Sequence, residues 1–100
     1  MKTQVEINEG KVVATFDGRM ESHLIHEVTI ALTPLFSLKN TDITLNCSKL
    51  TYISSNGLRL LHTLIMTVRP NRCNLYIQGA SDYLMKVLEK TGFDKCFFFK

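Results

Sequence analysis

The sequence of 100 residues has no tryptophan, only two prolines, and no apolar run near the length of a membrane span. Its first residues carry one positive charge but no following apolar stretch, so the pattern of a secretion signal is missing. The three cysteines, Cys47, Cys73 and Cys96, lie far apart in sequence, unlike the close pairs that chelate zinc. These shortages predict free thiols in a soluble cytoplasmic protein with no membrane insertion.

The chain is not short of core-forming residues. Hydrophobic side chains make up 45% and charged side chains 21% of the sequence, which is typical of a globular domain. A chain of this size can bury one hydrophobic core, so we expect a single domain over residues 1–100. Twelve basic against nine acidic residues leave a net charge of +3, which is too mild to predict a nucleic-acid partner.

The N-terminal half predicts a hairpin followed by a helix. Apolar and polar residues alternate on both sides of the turn Asn8-Glu9-Gly10, and Gly18 is predicted to break the second strand. Ser22 is the predicted N-cap of a helix whose apolar residues recur between Leu24 and Leu35. Pro34 should distort or end the last turn of that helix.

The C-terminal half alternates strands with helices. The predicted elements are a strand at Ile43–Cys47, a helix at Leu58–Val68, a strand at Asn74–Gln78, a helix capped by Ser81 and ended by Gly92, and a strand at Cys96–Phe99. The order β-β-α-β-α-β-α-β predicts an α/β fold. We expect a mixed sheet of four or five strands with an N-terminal hairpin, its later strands parallel, and about three main helices packed on it.

One stretch is more specific than the rest. From Thr41 to Leu58, a strand leads through a short apolar connection to Ser54-Ser55-Asn56-Gly57-Leu58, which opens a helix. This stretch resembles the signature of the STAS domain family, of the anti-sigma factor antagonist type, in which an Asp-Ser-Ser-Gly-Leu segment opens the helix. Ser54 stands at the Asp position, Ser55 at the phosphorylatable Ser position, and Gly57 and Leu58 match directly.

The resemblance implies a switchable binding module. Unphosphorylated, such a protein binds an anti-sigma factor that is also a serine kinase, and so releases a sigma factor. Phosphorylation at Ser55, with Ser54 as the second candidate, ends the complex, and a phosphoserine phosphatase restores it. The resemblance implies no cofactor, and we expect a monomer or weak homodimer. The implied partner-binding residues are Glu21, Ser22, Ser54, Ser55, Asn56, Gly57, Leu58 and Arg59.

Other interpretations of these residues stay open at the level of sequence. Ser54 or Ser55 can serve simply as a helix N-cap, and Glu21 and Ser22 can do the same for the first helix. Arg59 is either a solvated side chain or a contact for an acidic partner or a phosphorylated Ser55. The neutral Ser54 in place of Asp also keeps a second function open, a non-phosphorylated STAS adaptor subunit of a transporter or another signalling complex.

Catalysis finds no support in the sequence. Ser55 lacks the Gly-x-Ser-x-Gly elbow of a serine hydrolase, and no phosphate-cradling glycine loop occurs. His23 and His26 share a helix face, but two histidines without a third ligand do not predict a metal site. We therefore expect a protein that is not an enzyme, with no catalytic residues and no metal.

Overall fold

The computed structural model describes residues 1–100. Its strands, in which apolar residues alternate with polar ones, form one five-stranded sheet. The elements are β1 (Lys2–Asn8), β2 (Lys11–Met20), α1 (Ile25–Leu32), β3 (Asp42–Ile53), α2 (Ser55–Val68), β4 (Asn74–Gln78), α3 (Asp82–Thr91) and β5 (Phe98–Phe99). The strands are ordered β1-β2-β3-β4-β5. The first two are antiparallel, and each later pair is parallel. The predicted α/β architecture and element order are confirmed.

The core lies on one face of the sheet. Across the parallel strands, Val12 of β2 is paired with Ile43 of β3, which in turn is paired with Leu75 of β4, and all three are buried. Because side chains alternate along a strand, the sequence neighbours of these three residues point to the opposite face of the sheet. The buried sides of all three α-helices join these strands in one cluster of 23 residues. The helices therefore cover a single face of the sheet.

The prediction that Gly18 breaks the second strand is wrong. Strand β2 continues through Gly18 to Met20, and Gly18 pairs with Leu50 of β3. The register between β2 and β3 shifts on either side of this pair, and Gly18 has a φ of +115°. A glycine tolerates this conformation, so the strand absorbs the irregularity as a bulge instead of ending.

The prediction that Ser22 caps the first helix is also wrong. Residues Ser22–Leu24 form a short 3₁₀ helix before α1 begins at Ile25. Glu21 occupies the N-cap position of that turn, and its side chain makes no capping hydrogen bond. The prediction for the C-terminal end of this helix is confirmed, because α1 ends at Leu32 and Pro34 lies in the first turn of a second 3₁₀ helix.

The later elements follow the predictions closely. The Ser81 hydroxyl accepts a hydrogen bond from the backbone N–H of Leu84 at 3.1 Å, and Gly92 ends α3 with a φ of +78°, as predicted. Strand β5 is shorter than the predicted Cys96–Phe99, because Phe93–Cys96 forms a 3₁₀ helix. The ring of Phe97 turns into the core.

All three cysteines are free thiols, as expected from their spacing. None of the helices combines the length and the apolar composition needed to cross a membrane.

Candidate functional site

Two parallel strands end side by side beneath the start of α2. Met20, the last residue of β2, pairs with Ile53, the last residue of β3. The backbone N–H of Ser54 then donates to the carbonyl oxygen of Met20 at 2.9 Å. The carboxyl end of the sheet thus fixes the residue from which α2 departs.

The two adjacent serines have different environments. Ser54 is only 5% exposed, and its hydroxyl oxygen accepts a hydrogen bond from the N–H of Gly57 at 3.1 Å. Ser54 is therefore the N-cap of α2, one of the two interpretations left open by the sequence. Ser55 is the first residue of the helix and is exposed, and its hydroxyl has no part in the cap.

Gly57 allows the helix to lie close to the strand ends. A β-carbon added at this position would lie 2.7 Å from Cγ1 of Ile53 and 2.9 Å from Sδ of Met20. Real β-carbons essentially never make contacts this short. The next residue, Leu58, is partly buried against the core. Gly57 and Leu58 therefore anchor the first turn, and Ser55 and Asn56 are left on its exposed side.

Glu21 is held beside this helix start by an ion pair. Its carboxylate accepts a hydrogen bond from Nε of Arg19 at 2.8 Å, and Nδ1 of His23 lies 3.5 Å from its other oxygen. The hydrogen bond from Arg19 is the largest cause that lowers the pKa of Glu21 below its ordinary value. The Arg19 guanidinium also lies 4.5 Å from the centre of the Tyr52 ring. Glu21 thus places a carboxylate that is ion-paired with Arg19 beside the start of α2, next to the exposed Ser22.

Tyr83 belongs to the same end of the sheet, although the sequence did not single it out for the site. Its hydroxyl accepts a hydrogen bond from the N–H of Ile53 at 3.1 Å, and it lies 3.4 Å from the carbonyl oxygen of Ile53. The residue remains 39% exposed. The apolar stripe of α3 includes Tyr83, but nothing in the sequence pairs it with Ile53, 30 residues away.

Arg59 is a positively charged residue of the site that forms no ion pair. The ion pairs of the structure both involve Glu21, and Arg59 takes part in neither. It is exposed and lies one turn after Ser55 on α2. The site therefore presents an exposed serine hydroxyl at the positive end of a helix, among two arginines and one carboxylate. This arrangement can accept a phosphoryl group on Ser55 without any change in the helix cap.

A family model and a curated relative both match most of the chain. The model of the STAS domain matches residues 2–100. The anti-sigma-B factor antagonist of Staphylococcus aureus strain NCTC 8325 / PS 47 is 31% identical over 90 residues, which are 90% of this chain and 80% of that protein.

Solved structures share the fold. An anti-sigma factor antagonist from Mycobacterium paratuberculosis superposes with a TM-score of 0.84 at 17% identity, covering 98% of this chain and 83% of the other. The Bacillus cell fate determinant SpoIIAA, in its phosphorylated form, has a TM-score of 0.76 at 16% identity, with 99% and 91% covered. The family match spans nearly the whole chain, and the protein is therefore a member of the STAS domain family.

Proposed function

We propose that this protein is an anti-sigma factor antagonist that is active when unphosphorylated and is inactivated by phosphorylation at Ser55. It binds an anti-sigma factor with serine kinase activity in the cytoplasm, and a sigma factor is thereby released. The observation that carries the proposal is the exposed Ser55 hydroxyl, which the Ser54 cap leaves unused. The 31% identical relative, named an anti-sigma-B factor antagonist, supports the same role.

The docking surface surrounds the start of α2. The proposed surface comprises Glu21, Ser22, Ser54, Ser55, Asn56, Gly57, Leu58 and Arg59. Ser54 and Gly57 are buried, so they shape the first turn of α2 beneath the exposed residues. Ser22, Ser55, Asn56 and Arg59 are exposed and offer direct contacts.

Phosphorylation changes the charge of this surface. The kinase transfers the γ-phosphoryl group of ATP to the Ser55 oxygen, the hydroxyl proton leaves, and ADP is released. Before the reaction Arg59, together with Glu21 and the neighbouring Arg19 that pairs with it, gives this region a local charge of about +1. The phosphate adds about −1.5 to −2 charges at pH 7, so the sign reverses. A partner surface that binds the first state is repelled by the second.

The neutral Ser54 preserves the helix start. Serine and aspartate are comparable N-caps, so the family's Asp position keeps its structural role here. Because residue 54 carries no carboxylate, a phosphate on Ser55 experiences less like-charge repulsion than it would beside the family's Asp. A separate phosphoserine phosphatase then returns the protein to its binding state.

The test combines phosphorylation with binding. The purified protein is incubated with its cognate kinase and ATP, and the modified residue is located by mass spectrometry. We expect one phosphate on Ser55 and none in Ser55→Ala. Ser37→Ala is the control, because Ser37 is an exposed serine that precedes β3 and so lies at the opposite end of that strand from Ser54, and this variant should be modified like the wild type.

Affinity for the purified kinase is then measured for two substitutions at Ser55. We expect Ser55→Ala to bind like the wild type and Ser55→Asp to bind roughly 5–150-fold more weakly. Equal affinity of both variants would contradict the charge mechanism. If Ser54 and Ser55 both stay unmodified while the kinase is active on a control substrate, the switch is excluded. The non-phosphorylated adaptor subunit then becomes the better interpretation.

A further inference from the structure

A groove of about 300 Å³ runs between α1 and α2, next to the Ser55 surface. Its apolar lining includes Ile25, Phe36 and Leu60, and Arg59 is its only charged residue. No carboxylate lines this groove, so the Arg59 guanidinium has no counter-charge there. All five of its N–H donors remain available to a ligand.

Ser55 and Arg59 are neighbours on the helix surface. Residues four apart on an α-helix differ by about 40° in direction and about 6 Å along the axis. Side chains on a helix lean towards its N-terminus, and the Arg59 side chain is long enough to span the one turn that separates it from Ser55. The guanidinium can therefore reach a phosphate on Ser55 without any movement of the backbone.

Arg59 carries an exposed charge in the second turn of α2. The unmodified structure offers no compensating contact for its charge. A phosphate at Ser55 would reverse the sign of the local field and give the guanidinium a bidentate partner.

We propose that Arg59 is the internal ligand of the phosphate on Ser55, and that phosphorylation thereby removes the only charge from the α1–α2 groove. The inference rests on the proposed function, because it requires phosphate at Ser55. The phosphate is attached four residues away and so competes at high effective concentration with any acidic group of a partner. Arg59 is thus available to a partner in the unmodified protein and is occupied after modification.

The experiment uses protein in which phosphoserine is incorporated at position 55 during synthesis, so that no kinase is needed. The second pKa of the phosphate, ordinarily near 6, is measured by ³¹P NMR titration in about 0.1 M salt, where the Debye length is about 10 Å. In Arg59→Gln this pKa should rise by roughly 0.3 pH units or more relative to the wild-type sequence. In 1 M salt the difference should shrink, because screening weakens an exposed pair.

Arg69→Gln is the matched control. Arg69 follows the last residue of the same helix, about 21 Å from Ser55, and its replacement removes the same charge. It should leave the phosphate pKa within about 0.1 pH units of the wild-type value, since screening is nearly complete at that distance. Arg59→Lys retains the charge and should recover part of the effect.

Equal phosphate pKa values in the wild type, Arg59→Gln and Arg69→Gln would overturn the role of Arg59 and leave the proposed function intact. An equal rise in Arg59→Gln and Arg69→Gln would also overturn it, because the effect would then be one of net charge. Failure of the kinase to modify Ser55 would instead overturn the proposed function, and the titration would not be affected.

Discussion

The hydroxyl of Ser54 accepts a hydrogen bond from the backbone N–H of Gly57, and this single contact separates the roles of two adjacent serines. The buried Ser54 caps the helix, and the exposed Ser55 keeps its hydroxyl in solvent. A modification at Ser55 therefore leaves the cap intact. Ser54 stabilises the start of α2, whereas Ser55 presents the hydroxyl that can be modified.

Replacing the cap should destabilise the protein without altering the hydroxyl of Ser55. Ser54→Ala removes the acceptor of the Gly57 N–H, and we expect a loss of about 1 kcal/mol in the free energy of unfolding, measured in urea. Ser54→Asp should keep the cap and stay within about 0.5 kcal/mol of the wild type. Ser55→Ala is the control, with an expected change below about 0.5 kcal/mol. A larger loss in Ser55→Ala than in Ser54→Ala would contradict this assignment.

Gly57→Ala should be destabilising although alanine favours helices. The added methyl group would meet Ile53 and Met20 at less than 3 Å, and such overpacking costs roughly 1–3 kcal/mol. The gain in helix propensity offsets up to about 1 kcal/mol. We expect a net loss of about 1–2 kcal/mol in urea unfolding. Combination with Met20→Ala should give less than the sum of the two losses, and full additivity would argue against the contact.

Tyr83→Phe tests the bond between α3 and the end of β3. The substitution leaves the N–H of Ile53 without its partner, and we expect a loss of about 1–2 kcal/mol in the free energy of unfolding. Hydrogen exchange of the Ile53 amide should also become faster. Tyr52→Phe removes a hydroxyl that makes no hydrogen bond and should change stability by less than about 0.5 kcal/mol. Unchanged exchange at Ile53 would show that the hydroxyl is not its protecting partner.

Cys47 should make stability depend on pH at alkaline values. Burial raises the pKa of the Cys47 thiol to about 12 from an ordinary value of 9.0. Because the folded state disfavours the thiolate, the stabilisation is fully present below pH 9 and is lost as the pH rises towards 12. Relative to Cys47→Val, the wild type should lose about 2 kcal/mol between pH 8 and pH 10.5 in urea unfolding.

Alkylation gives a second check on Cys47. In the native protein at pH 8, Cys47 should resist iodoacetamide, because both burial and the raised pKa keep the thiolate scarce. In urea the same residue should react, which controls for the reagent. Rapid native alkylation of Cys47, located by mass spectrometry, would contradict its burial.

The sequence determined the element order and most of the helix boundaries. Alternation of period two and helical spacing are local signals, so the hairpin at Gly10, the Ser81 cap and the Gly92 terminus could all be predicted. The motif Ser54-Ser55-Asn56-Gly57-Leu58 also indicated the family, since it combines a cap, a small residue and an apolar anchor at fixed spacing. It left open which serine capped the helix.

Only the tertiary structure decided the features that depend on distant residues. Gly18 continues β2 because the neighbouring strand β3 supplies hydrogen bonds across the irregularity, and no local pattern contains that information. Ser54 became the cap because its N–H is fixed to Met20 at the end of another strand, 34 positions earlier. Tyr83 joined the site by bonding to Ile53 across 30 residues. Local preferences thus set the elements, whereas hydrogen bonds and packing between elements determined which side chains were buried and which hydroxyl stayed free.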